Sequence, residues 1–124
     1  MKIKLTGHER NILGVLRISL SVSLHTARKA FGHDSEKYTR ALERLSSFCV
    51  QSSAGATVDV TNLVKEQNEA TYGRLIQQVE FLPESQRDDF WQAVAMLAAE
   101  GYILMVPEEN FYRITPSGLT LLRD

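Results

Sequence analysis

The residues best placed to do chemistry are cationic. Lys37, Arg40 and Arg44 recur at i, i+3 and i+7, which puts them on one face of a helix. Arg28 and Lys29 stand just upstream, before the break at Gly32-His33-Asp34. A helix, a tight turn and a second helix with a basic stripe can enter a DNA groove. The cations neutralise phosphates, and a polar neighbour such as Thr39 reaches a base edge. The candidate DNA contacts are therefore Arg28, Lys29, Lys37, Thr39, Arg40 and Arg44. A second reading of the same residues stays open. Glu36 with Arg40 and Arg40 with Glu43 are spaced i,i+4 and i,i+3, the pattern of a solvated, salt-bridged face.

Other chemistry finds less support. His8, His25, His33 and Cys49 lack the spacing of a zinc site, and a lone cysteine cannot complete the usual structural set. Cys49 ends an apolar stripe, where a buried, inert thiol is the ordinary case. Asp88 and Asp89 are adjacent, so on a helix they point about 100° apart and do not face one another. They suit the positive end of a helix dipole instead. The glycines are scattered, and no Gly-rich loop with a lysine could cradle phosphate. No enzyme activity, metal or cofactor is expected. Trp91 is turned about 100° from Phe90, so it either closes the edge of a core or stands exposed as an anchor for a partner. Trp91, Glu108 and Glu109 are the candidate partner-binding residues.

The chain around these residues has 124 positions, 44% of them apolar and 23% charged, with a net charge of −1. That composition excludes a disordered chain, and the single cysteine excludes a disulfide scaffold. The longest apolar run, Tyr102 to Val106, is far short of the ~18 residues a membrane helix needs. Met1 to Leu5 lacks the features of a signal peptide, so the expected compartment is the cytoplasm. Charge is unevenly spread. Residues 1–50 carry nine Lys/Arg against four acids, a net of +5, and the remainder carries −6. The basic half is the better candidate for nucleic acid, unless the two halves attract one another within a chain or across a dimer.

Apolar spacing and end signals lay out the elements. Met1 to Leu5 alternates like a short strand, and Thr6 to Glu9 fits a capping box. A helix should follow on Ile12, Leu13, Leu16 and Leu20 and fade across Ser19 to Ser23, where serines and β-branching weaken it. Leu24 to Phe31 reads as a second helix ended by Gly32, and Asp34 or Ser35 opens a third that runs to about Ser47. Phe48 to Val60 reads as a β-hairpin, with Ala56 to Val60 its returning strand. Thr61 to Leu82 is helical, with Gly73 a candidate break. Ser85 to Asp88 is a capping-box pattern opening a helix to Glu100, which Gly101 ends. Tyr102 to Val106 and Phe111 to Ile114 pair around Pro107 to Asn110, and Thr115-Pro116 starts a last short helix.

Leu97-Ala98-Ala99-Glu100-Gly101-Tyr102-Ile103 followed by Phe111 to Leu119 resembles the end of a winged helix-turn-helix domain of MarR or PadR type. There a helix ends in a Leu-x-x-x-Gly-aromatic-Ile pattern, and the second strand of the wing ends in aromatic-x-Ile-Thr-x-x-Gly. The resemblance covers about a quarter of the chain and implies a fold more than a function. In such domains the helix before the wing lies in the major groove and the wing touches phosphate. Here that helix opens with Glu84, Asp88 and Asp89 against Arg87, and the wing carries Glu108 and Glu109, charges that repel phosphate. Two such units in series are also similar, in architecture alone, to segregation-and-condensation protein B and MukE-type subunits.

The expected fold is mainly α with small β-hairpins: a winged helix-turn-helix, two in tandem if the echo of helices then hairpin is real. The expected division is a basic unit over residues 1–60 and an acidic unit over 61–124, or one compact domain. The expected function is a small cytoplasmic DNA-binding regulator, a homodimer reading DNA through the basic half. The alternative is a protein-interaction module that uses its acidic C-terminal unit, as a subunit of a DNA-handling complex or as an inhibitor.

Overall fold

The computed structural model describes residues 7–46 and 58–123. Its elements run in the order α1 (Gly7–Phe31), α2 (Ser35–Ser46), α3 (Val58–Glu80), α4 (Glu84–Ala99), β1 (Ile103–Val106), β2 (Phe111–Ile114) and α5 (Pro116–Arg123). The fold is mainly helical, with one small antiparallel sheet among the described residues. The expected strand at Met1 to Leu5, the Thr6 cap and the Phe48 to Gln51 strand with its turn lie outside the described residues, as does Cys49.

The expected fading of the first helix does not occur. α1 continues unbroken for 25 residues, about 37 Å. Ser19 and Ser23 are each 1% exposed, so they meet a neighbouring helix and not solvent. The Ser23 hydroxyl donates to Gln67 Oε1 at 3.0 Å, and Arg74 Nη1 donates to the Ser19 hydroxyl at 3.4 Å. The order of these contacts makes α3 antiparallel to α1. Small polar side chains let the two helices approach, and packing overrides weak local propensity. α3 is likewise continuous through Gly73. It begins at Val58, so the last residues of the expected strand at Ala56 to Val60 are helical instead.

Two apolar clusters sit along the paired helices α1 and α3. The larger joins Ile12, Leu13 and Leu16 of α1 to Leu75 and Val79 of α3, and to Phe90, Val94 and Leu97 of α4. Ile103, Tyr112, Ile114 and Leu121 complete it from the hairpin and α5. The smaller joins Ala27 and Phe31 of α1, Ala41 and Leu45 of α2, and Val60, Leu63 and Val64 of α3. α1 and α3 each enter both clusters, and each cluster takes its remaining residues from one end of the pair.

The hairpin is built by its end signals. Gly101 stands at φ +82, and the amides of Gly101 and Tyr102 return to the Ala98 and Leu97 carbonyls at 3.1 and 2.9 Å. That is a Schellman end, which a residue with a Cβ adopts at a cost. β1 and β2 pair with Ile103 opposite Ile114 and Val106 opposite Phe111. A 3-10 turn over Pro107–Glu109 joins them, and Asn110 closes it in the left-handed region at φ 53. Thr115 then locks the exit. Its hydroxyl donates to the Gly101 carbonyl at 2.7 Å and accepts from the Gly118 amide at 3.2 Å, capping α5. The expected capping box at Ser85 does not form. α4 starts at Glu84 after Pro83, whose extended backbone (φ −54, ψ 144) sets the entry without a side-chain cap.

Two glycines separate packing from backbone freedom. A Cβ at Gly118 would strike the Tyr102 carbonyl oxygen and lie 2.8 Å from Ile114 Cγ1. A Cβ at Gly73 would meet nothing within 4 Å. Gly118→Ala should cost about 1–3 kcal/mol in urea unfolding. Gly73→Ala should stabilise by about 0.5–1 kcal/mol, by relieving the glycine penalty inside a helix.

Candidate binding surfaces

The basic candidates lie on α1, α2 and the turn between them. Gly32 is required there: a Cβ would lie 2.5 Å from the Arg28 carbonyl oxygen. The Asp34 carboxylate accepts from the Lys37 amide at 3.1 Å and opens α2. Arg28 and Lys29 are exposed in the last turn of α1. Lys37 is half-buried in the first turn of α2. Arg40 pairs with Glu36 at 2.7 Å, the i,i+4 pair visible in the sequence. The Thr39 hydroxyl donates back to the Ser35 carbonyl at 2.8 Å. Arg44 turns toward α3, where Nη1 donates to the Thr61 hydroxyl at 3.3 Å. The six residues therefore do not form one basic face. The exposed positions of α2 mix Ser35 and Thr39 with Glu36 and Glu43.

The acidic candidates sit elsewhere, with one meeting point. Glu108 and Glu109 are exposed on the 3-10 turn at the hairpin tip. The tip and α3 line an open cleft of about 440 Å³, which Arg44 of α2 also borders. One expected DNA contact and two expected partner contacts thus line a single cavity. Trp91 is half-buried at the edge of the larger cluster, edge-on to Phe90 with centroids 5.5 Å apart.

Beneath the cleft lies a residue that periodicity did not single out. Arg113 is 4% exposed in β2, whose four positions are all buried. Tyr112 and Ile114 enter the larger cluster, and Arg113 points the other way, to α2 and α3. Its Nε donates to the Leu45 carbonyl at 2.8 Å, Nη2 donates to Asn68 Oδ1, and Nη1 donates to the Tyr112 carbonyl at 3.0 Å. The Phe111 ring stacks below, with the guanidinium carbon 5.0 Å from its centroid. These three hydrogen-bond acceptors are neutral. Leu45 is the next-to-last residue of α2, so its carbonyl belongs to the electronegative helix end and favours a cation. Burial pulls the guanidinium down to about 10, so it is still charged at neutral pH. The sequence carried a signal for this: a lone charge inside the apolar strand Phe111-Tyr112-Arg113-Ile114. On the other face of the strand, burial raises the Tyr112 hydroxyl above the ordinary tyrosine range, reinforced by Tyr72 and then Glu108. The Tyr72 and Tyr112 rings stack at 5.8 Å.

A further residue escaped the sequence reading. Phe81 is 85% exposed at the corner between α3 and α4, with Glu80 before it and Glu84 at the start of α4. Every residue from Pro83 to Asp89 is exposed, and three of these seven are acids: Glu84, Asp88 and Asp89 outnumber the single arginine.

Arg113→Ala should destabilise the fold by about 2–4 kcal/mol in urea unfolding, because it strands buried acceptors on two helices and leaves a void. Arg113→Lys should recover only part, since one ammonium cannot reach acceptors set for a planar fork. Above about pH 10 the unfolded chain still holds this proton while the folded chain releases it, so the Arg113 contribution to stability rises with pH there.

Comparison with known proteins returns no match to a family model, to a curated protein or to a solved structure.

Proposed function

We propose that this chain is a non-enzymatic winged-helix module that docks on a partner protein. α3 and α4 form its helix pair, the β1–β2 hairpin its wing, and α5 the closing helix. The observation that carries the reading is Phe81, an aromatic ring left 85% exposed on the helix corner among Glu80, Glu84 and the acids of α4. An exposed aromatic anchor in a stretch of chain with excess acid fits an apolar pocket with a basic rim. The same surfaces suit DNA poorly. Both the start of α4 and the hairpin tip carry excess carboxylate, and phosphate neutralisation supplies most of the affinity for DNA.

The DNA-binding regulator is the second reading, favoured by Arg28 and Lys29, which stand exposed beside the α1–α2 turn. No described helix is long and apolar enough to cross a membrane, so neither reading involves a spanning segment.

The two readings separate on fluorescence anisotropy with a mixed-sequence duplex at ~50 mM and ~200 mM salt. Docking predicts no binding at tens of micromolar protein. Binding that falls steeply with salt and disappears in the Arg28→Glu/Lys29→Glu variant would establish the regulator instead. Docking also predicts that Phe81→Ser leaves stability within about 0.5 kcal/mol while removing the adduct formed by a photo-crosslinker placed at Asp88.

A further inference from the structure

We propose that the cleft between the hairpin tip, α2 and α3 binds a small zwitterion of the size of a dipeptide. Its volume of about 440 Å³ is that of a small-molecule site. Its charged lining has both signs: Arg44 and Lys65 against Glu69, Glu108 and Glu109. Among the described residues none of these five is ion-paired with another, and the Arg44 guanidinium donates to the neutral Thr61 hydroxyl. Lys65 precedes Glu69 by one helical turn, the less favourable order for pairing along a helix. Val64 and Phe111, 5% and 4% exposed, supply apolar lining.

The charge set selects the ligand class. An anion meets three carboxylates, and a simple cation meets Arg44 and Lys65. A molecule with an ammonium at one end and a carboxylate at the other answers both. The cavity is also a built one. Arg113 ties β2 to the end of α2 and to Asn68 of α3, and so fixes all three walls. The site is independent of the docking reading, because Phe81 lies a further twelve residues, about 18 Å, along the helix direction from Glu69.

The test is a titration of the isotope-labelled full chain with the dipeptide Leu-Leu, followed by amide NMR shifts. N-acetyl-Leu-Leu and Leu-Leu amide, each lacking one charge, are titrated in parallel. Saturable shifts at Thr61, Lys65, Asn68 and Asn110 are expected, weakened about tenfold or more by either blocked end. The exposed-tip variant Glu108→Gln/Glu109→Gln and the variant Arg44→Gln should each weaken binding similarly, with unchanged spectra elsewhere. Absence of saturable shifts by about 10 mM Leu-Leu, or equal binding of either blocked form, overturns the proposal.

Discussion

One buried cation organises the junction between the hairpin, α2 and α3 that forms the cleft. Arg113 sits in a strand yet bonds to two helices, through the Leu45 carbonyl and Asn68. A buried charge without an anionic partner is ordinarily costly. Here the cost is offset by three directed hydrogen bonds, an aromatic face and the electronegative end of α2. An apolar residue of equal volume could fill the space but would strand the Leu45 carbonyl and the Asn68 amide. The guanidinium therefore gives the hairpin one register against α2 and α3, where apolar packing alone would tolerate slippage.

The rest of the fold follows from the α1–α3 pair. Both helices are long enough to serve two clusters, and their middle meets through small or polar side chains: Ser19, Ser23, Gln67 and Thr71. The two clusters lie on either side of that polar waist. The hairpin belongs to one cluster through Tyr112 and Ile114, and Arg113 anchors its other face beside the second. Alternation along β2 thus does what a longer sheet does elsewhere, serving two environments from one strand.

Local end signals were legible in the sequence because their chemistry is local. Asp34 opens α2, Gly101 ends α4 and Thr115 caps α5, as the residue types required. The continuity of α1 was not legible. Ser19 and Ser23 weaken a helix in isolation, and the groups that satisfy them lie 55 and 44 residues away. Pro83 likewise displaced the cap expected at Ser85 by fixing the entry two residues earlier. At the candidate sites, helical spacing placed Lys37, Arg40 and Arg44 on one face and already offered the Glu36–Arg40 pair, but it could not show that Arg44 is turned to Thr61. Nor could it bring Arg44 opposite Glu108 and Glu109, since that proximity depends on how the hairpin packs.

The charge asymmetry of the chain takes on a local meaning in this arrangement. Arg44 of α2 and the acidic hairpin tip border one cleft, and no ion pair joins them among the described residues. Exposed acids at the start of α4 follow an exposed aromatic corner at the far end of α3. Whether the tip is a fixed wall or a loose flap depends on Arg113. Native-state hydrogen exchange on the wild type and Arg113→Lys tests this most directly. Coupling through the guanidinium predicts that amides of β1, β2 and the last turn of α2 lose protection together in the variant, while those of α4 keep it. Unchanged protection of the hairpin, or loss spread evenly over the whole chain, would contradict it.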